Sequence, residues 1–324
     1  MLPFQNIKRE ILTKRESVTD PSLGCPPEQR PMDVLLDYGI VNIDKPAGPT
    51  SHQVSDYLKR ILHLSKAGHS GTLDPAVTGV LPTGIGRATR IVSYLLTAGK
   101  EYVAVMHLHH EVPETDLRQA FARFTGRISQ LPPIKSSVKR QLRQRTIYGM
   151  TLLETEGKDV LFRVSCEAGT YIRKLIHDMG QHLKTGAHMA ELRRISAGPF
   201  DESTLCTLQD VADAYWYYTE EKKEAFLRKV IQPVEKGVGH LPKVWVTDTT
   251  VEPLCHGTDL AIPGIARYHA GLQRGNVVAV MTLKDELIAT GTMQLTSLEL
   301  AEKEKGIATR IEHVFMQPGV YRKM

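Results

Sequence analysis

The run His69-Ser70-Gly71-Thr72-Leu73-Asp74-Pro75, followed directly by Ala76-Val77-Thr78-Gly79, holds the residue types best suited to chemistry. Asp74 precedes a proline, which disfavours helical backbone at that position. Gly71 and Gly79 tolerate conformations closed to other residues. The expected product is a tight, shaped loop with one carboxylate at its turn, a group able to act as nucleophile or to move a proton. Gly, Asp, Pro and Ser are also ordinary turn residues, so these letters alone describe a turn. Chemical meaning comes from the company the loop keeps. Ile43-Asp44-Lys45-Pro46-Ala47-Gly48-Pro49-Thr50-Ser51 precedes it, and Lys100-Glu101-Tyr102, Gly169-Thr170-Tyr171-Ile172-Arg173 and Leu192-Arg193-Arg194 follow.

Other constellations say less. Cys25, Cys166, Cys206 and Cys255 are far apart and form no C-x-x-C pair, which suggests neither a disulfide framework nor a cysteine zinc site. His107 and His109 would share one face of a strand, with His110 opposite, but no third ligand is near. They read as strand surface, and no metal site is expected. Gly84-Ile85-Gly86-Arg87-Ala88-Thr89 opens like a nucleotide-binding loop but lacks the final glycine, so it reads as empty.

Composition sets the frame. A chain of 324 residues, 41% of them hydrophobic, can bury a sizeable core and has room for two domains. Its 41 basic against 36 acidic residues leave a net charge of +5, compatible with a polyanionic partner and equally with many unremarkable enzymes. No apolar run is long enough to span a bilayer, and the first ten residues lack the apolar stretch of a signal peptide. The expectation is a soluble, intracellular, cytoplasmic protein without a membrane partner.

The elements that must position these residues follow from periodicity. A short strand at 39–43 runs into Lys45-Pro46, and Thr50 or Ser51 caps a helix burying Val54, Tyr57, Leu58, Ile61 and Leu62. A strand at 80–85, a helix at 87–96 and an alternating strand at 102–108 come next, and then a helix capped by Thr115 carries Leu117, Ala120, Phe121 and Phe124. Lys135, Lys139, Arg140, Arg143 and Arg145 have no acid among them. They form either a solvated loop or a mobile thumb close to RNA, since unpaired cations release counterions when they meet phosphate. Val160, Phe162, Val164 and Cys166 alternate as a core strand, and Thr170 opens a helix burying Ile172, Leu175, Ile176, Met179 and Leu183. A strand at 189–195 and helices at 208–217 and 220–230 complete an α+β domain around a largely antiparallel sheet.

Pro233, Gly237 and Gly239 mark a boundary before residue 241. Beyond it lie short strands at 244–246, 277–280, 287–289 and 311–315, a helix ended by Gly257, and one opened by a capping box from Thr296 to Glu299. At the other end, Pro21, Pro26, Pro27 and Pro31 oppose any regular element late in the first thirty residues, so that segment by itself reads as an arm without order. The domains expected are an arm at 1–30, a catalytic domain at 31–240 and a small β-rich domain at 241–324.

Taken in order, these motifs resemble the TruB-like pseudouridine synthases. The wording NIDKPAGPTSHQV and GHSGTLDPAVTGVLP resembles most the dyskerin-like branch, the catalytic subunits of H/ACA guide-RNA particles, over residues 33–315. The resemblance implies the pseudouridine synthase fold followed by an RNA-binding PUA pseudobarrel, with the N-terminal arm packed on the latter. It also implies isomerisation of uridine in ribosomal RNA under guide-RNA direction and at the T arm of transfer RNA, with small accessory proteins as partners. Such chemistry breaks the glycosidic bond, turns the uracil and bonds its fifth carbon to the sugar, for which one ionised carboxylate suits and no metal or cofactor is needed.

By their match to the family's motifs, Asp74 is the catalytic carboxylate, Arg173 its ion-pair partner, and Tyr102 the ring that stacks on the flipped base. His69 assists base extrusion, Tyr171 and Leu192 wall the pocket, and Lys45 and Pro46 support it. The resemblance also makes the basic segment a substrate-gating loop and places guide-RNA contacts near His256, Gly257 and Arg267. Two departures stand out. Ala76 occupies a position where many relatives carry lysine, and the sequence ends at Met324 without the Lys/Glu-rich tail of eukaryotic members, which groups it with archaeal forms. A guide-independent transfer-RNA synthase and a non-catalytic RNA-binding scaffold remain the alternatives.

Overall fold

A computed structural model of the chain describes residues 1–131 and 141–321, which fall into two units. One comprises Met1–Asn6 with Leu36–Gln232, the other Ile7–Leu35 with the described residues from Pro233 onward. Lys135, Lys139 and Arg140 lie outside the described residues.

In the first unit, period-2 strands meet helices with apolar residues three and four apart. Tyr102, Ala104, Met106 and Leu108 from the strand Lys100–Leu108 share one buried cluster with Val160, Phe162, Val164 and Cys166 from Asp159–Cys166. The helix Ile172–His182 closes over them with Ile172, Leu175, Ile176 and Met179, and Glu114–Phe124 adds Leu117 and Phe121. Each such side chain, fully buried, contributes roughly 1.5–3 kcal/mol, so this cluster is the main cohesive element of the unit.

The sheet runs in the order Ile231–Pro233, Gly39–Lys45, Thr78–Ile85, Ala187–Ala197, Lys100–Leu108, Asp159–Cys166, Arg143–Glu156, Gly126–Gln130. Thr78–Ile85 and Ala187–Ala197 run parallel, and Ala187–Ala197 and Lys100–Leu108 antiparallel. Register sets Gly79 opposite Arg194, and Arg194 opposite Tyr102, so the three residues form a row across three adjacent strands.

Differences from the periodicity reading sit at element ends. The helix expected from Thr115 starts at Glu114 with Pro113 as cap, and the Thr115 hydroxyl turns to Asp116 instead. Thr170 opens no helix, because its hydroxyl donates to the Glu167 carbonyl at 2.7 Å, and the helix begins at Ile172. The segment 87–96 divides into a 3-10 helix, Gly86–Ile91, and the α-helix Val92–Thr97. The Thr89 hydroxyl bonds back to the Gly86 carbonyl at 2.9 Å in the first of these, a local bond that competes with regular α-helix. Arg143 and Arg145 stand on a strand paired with Gly126–Gln130, not in a loop. His109 and His110 lie past the strand end at Leu108, and only His107 is on it, bonded to Asp159 at 2.7 Å. Among the described residues no helix is long and apolar enough to cross a membrane.

The second unit is a curled seven-stranded sheet in the order Ile11–Thr13, Ile265–His269, Lys243–Val246, Val277–Met281, Leu287–Met293, Ile307–Val314, Leu260–Ala261. Its first strand comes from the N-terminal segment. The prolines there admit one short 3-10 helix, Pro27–Gln29, where regular structure was not expected, because proline suits a helix's first turn. Arg30 makes two bonds to the buried Glu235 carboxylate, at 2.7 and 2.8 Å, while the same carboxylate accepts the Leu287 N–H at 2.9 Å. Replacing one partner of a buried pair strands the other charge, at roughly 3–5 kcal/mol. Arg30→Met is therefore expected to shift the urea midpoint of the second unit downward by that equivalent, as followed by Trp245 fluorescence.

Candidate active site

The Asp74 loop is held from beneath by groups that water does not reach. Lys45, at the end of the strand Gly39–Lys45, is 0% exposed. Its Nζ donates to the carbonyls of Pro46 at 2.8 Å, Pro75 at 3.0 Å and Val77 at 2.8 Å. An ammonium has three protons, and here all three are engaged. Burial pulls the Lys45 pKa down, and the Asp74 charge opposes that pull.

Ser51, the first residue of the helix Ser51–Ile61, accepts the Leu73 N–H at 2.8 Å, while Gly48 N–H donates to the Pro75 carbonyl at 2.9 Å. The helix itself starts at a Thr50–Gln53 capping box. Leu73 and Val77 are buried in the apolar cluster, so Asp74 projects between two anchored residues. Gly79 has a φ of 102°, and a Cβ there would lie 2.2 Å from the Arg194 carbonyl oxygen, so the loop's exit admits glycine alone.

Arg173, the second residue of the helix Ile172–His182, donates through Nη2 to Asp74 Oδ2. Both side chains are about half exposed, at 49% and 48%. A pair this wet contributes at most about 1 kcal/mol to stability, so its significance is where it holds the carboxylate. Tyr102 is 8% exposed and stands opposite Arg194 on the neighbouring strand. Burial pushes the phenol pKa up, while the neighbouring guanidinium works the other way. Arg194 is 1% exposed and donates to the Val80 carbonyl at 2.7 Å and the Gly71 carbonyl at 3.2 Å.

Lys100 is buried too and gives its protons to the carbonyls of Leu95, Leu96 and Ala98 at 3.0, 2.8 and 2.7 Å, closing the C-terminal end of the helix Val92–Thr97. Burial, aided by the Arg194 charge, lowers its pKa to about 7. Three carbonyl acceptors favour the ammonium form, whereas a neutral amine could serve only two of them.

The remaining residues singled out from the sequence distribute as follows. His69 Nδ1 accepts the Gly71 N–H at 3.3 Å, and burial, with the charges of Arg194 and His52, lowers its pKa. The imidazole is thus neutral at pH 7. Tyr171 caps the Arg173 helix, its backbone N–H and C=O both bonded to the Gln130 amide at 3.0 and 3.2 Å. Leu192 packs, half-buried, on the cluster that holds Tyr102, and Pro46 is exposed apart from its carbonyl on Lys45. Arg145 lies under the turn before Arg173, its guanidinium 3.1 Å from where a Gly169 Cβ would be and 3.7 Å from Glu167; Arg143 is half-buried on the same strand.

In the second unit, exposed His256 pairs with Glu252 at 3.2 Å, Gly257 has open space beside it, and the Arg267 guanidinium lies 5.8 Å from the Trp245 ring centroid. The structure thus gathers Asp74, Arg173, Lys45, His69 and Tyr102 about one loop. Sequence reasoning had Ser51, Lys100 and Arg194 inside the motifs around the loop but gave them no role in the site, and it missed Gln130. For Arg194 the signal was its place two residues after Leu192, on the same face of a strand.

Comparison with known proteins covers nearly the whole chain. Residues 59–172 match the TruB family pseudouridylate synthase N-terminal domain, and 173–239 the tRNA pseudouridylate synthase B C-terminal domain. Residues 242–315 match the PUA domain, and 2–55 the DKCLD (NUC011) domain. The probable tRNA pseudouridine synthase B of Pyrococcus furiosus is 56% identical over 98% of this chain and 94% of its own length. That of Methanothermobacter thermautotrophicus is 51% identical over 98% of both. Among solved structures, a Cbf5-Nop10-Gar1 complex matches at 55% identity with a TM-score of 0.95, over 100% of this chain and 99% of that one. An H/ACA RNP bound to a substrate RNA containing 2'-deoxyuridine matches at 53% and 0.94, with the same coverage.

Lys45→Met would remove the charge and leave three buried carbonyls without their donor. The expected cost is roughly 2–4 kcal/mol of first-unit stability, measured by chemical unfolding, with new proteolytic cleavage between Gly71 and Gly79.

Proposed function

The chain belongs to the TruB family of pseudouridylate synthases, RNA-acting isomerases, and on that premise we propose that Asp74 is the carboxylate with which it turns uridine into pseudouridine. The observation that carries this reading is the Asp74–Arg173 pair, half open to solvent above a loop that Lys45 holds from within. The guanidinium holds that carboxylate in place by a charge-assisted bond, at the point from which it can meet a sugar's anomeric carbon. The buried Tyr102 ring then offers a platform on which a flipped uracil stacks, typically worth about 1–3 kcal/mol per base. His69 supports extrusion of that base, and Tyr171 and Leu192 flank it.

A uracil within structured RNA reaches such a carboxylate only after leaving the stack, at a cost of a few kcal/mol. Contacts elsewhere must offset this. We assign that role to the basic segment containing Lys135, Lys139, Arg140, Arg143 and Arg145, and to the surface around His256, Gly257 and Arg267 of a C-terminal RNA-binding domain.

Two structures that resemble this chain over its full length were solved as a Cbf5-Nop10-Gar1 complex and as an H/ACA RNP bound to a substrate RNA. They support ribosomal RNA chosen by a guide RNA as one substrate and two small proteins as partners, pairing reading the sequence while protein reads shape. The names of the curated relatives support transfer RNA as a second substrate. A cytoplasmic location accords with both.

Asp74→Asn separates chemistry from binding. Pseudouridine formation, measured by tritium release from labelled uridine in a transfer-RNA transcript and in a guided ribosomal-RNA fragment, is expected to fall by at least about 10³-fold. Affinity for the RNA should stay within about threefold. Wild-type protein inert on both RNAs with guide and accessory proteins present would point instead to a scaffold. Activity confined to transfer RNA and indifferent to guide would point to a stand-alone enzyme.

A further inference from the structure

One buried guanidinium joins both ends of the loop that carries the carboxylate. Arg194 lies on the strand Ala187–Ala197, in register with Gly79 on one side and Tyr102 on the other. Its Nε donates to the Val80 carbonyl at 2.7 Å and its Nη2 to the Gly71 carbonyl at 3.2 Å. Gly71 and Val80 are the entry and exit of the segment from which Asp74 projects, so a single planar group spans the loop at its base, on the strand that runs beside Tyr102.

Burying a charge costs several kcal/mol, and an apolar residue of similar volume would often be as stable. Two neutral carbonyls as its acceptors make Arg194 a costly way to obtain cohesion. Its planar fork is what a methionine or leucine lacks, and what lysine, with one nitrogen, cannot reproduce.

We propose that Arg194 is a positioning residue for the isomerisation, fixing both ends of the Asp74 loop to the strand that lies beside Tyr102 so that the carboxylate meets the base at a set distance. The proposal rests on the pseudouridine synthase reading. It requires no contact between Arg194 and RNA, since the side chain is 1% exposed.

Arg194→Lys keeps a buried cation and removes the fork. At saturating RNA, its single-turnover rate is expected to fall about 10- to 100-fold, the scale of a misplacement near 1 Å. RNA affinity should stay within about threefold and the circular dichroism should match wild type. A rate within twofold of wild type, or a loss explained wholly by weaker RNA binding, would overturn the proposal.

Should that variant fail to fold, Arg194→Gln decides, read at a temperature where its circular dichroism matches wild type. It keeps one planar donor and loses the second, so its single-turnover rate should fall likewise while proteolysis between Gly71 and Gly79 quickens. Proteolysis no faster than in wild type would mean that the loop is not held by this side chain, and the proposal falls. Wild-type protein is measured alongside. If it forms no pseudouridine, the functional reading fails while the proteolysis comparison still tests the anchoring.

Discussion

A buried ammonium that spends two of its three protons on one turn is the constraint from which the rest of the catalytic unit follows. Lys45 is shut off from water, and its charge is tolerable only because three backbone carbonyls surround it. Two of those carbonyls, from Pro75 and Val77, flank the loop residue that matters most. Displacing the loop would leave a buried cation with one acceptor of its three, the Pro46 carbonyl, a penalty larger than any single contact the loop makes with solvent-facing groups. The carboxylate of Asp74 therefore stands in water on a backbone fixed from the dry side.

Charges at this site divide by exposure into two kinds. Lys45, Lys100 and Arg194 are buried and bonded chiefly to carbonyls. They hold geometry, and exchanging their partners would be expensive. Asp74 and Arg173 are half exposed and bonded to each other. A pair in that setting can part at small cost when a ribose or phosphate arrives, and the arginine can then turn to the new anion. A site that had to open its buried cations for each substrate would lose its shape at the moment of reaction. A site built only of exposed pairs would have no fixed shape to lose.

How far this could be read from the letters varies with the physics of each feature. The alternation through Tyr102–Leu108 and 160–166 and the helical spacing of Ile172, Leu175, Ile176 and Met179 announced the core, because burial repeats with the backbone period. The capping box at Thr296 was equally legible, since both its halves are local, whereas the earlier cap lay open between Thr50 and Ser51 until the structure gave it to Thr50 with Gln53. Thr115 and Thr170 misled for the complementary reason: a threonine hydroxyl has several nearby acceptors, and sequence does not say which it takes. Asp74, Arg173 and Tyr102 were picked out by resemblance to a family, and no periodicity would have found them. The burial of Lys45, Lys100 and Arg194 was invisible, because lysine and arginine are surface residues until a fold supplies carbonyls around them.

Sheet register ties the reactive groups to the core. Gly79, Arg194 and Tyr102 form one row across three strands, and Tyr102 shares its face with Ala104, Met106 and Leu108. A slip of one residue in the strand Lys100–Leu108 would turn that whole set outward, removing the ring from the site and three apolar side chains from the core together. The alternation that buries the core is thus the same one that aims the tyrosine. A chain that folds this sheet in register has already placed Tyr102 and Arg194 opposite the loop, and what remains for the loop is to carry one charge into water.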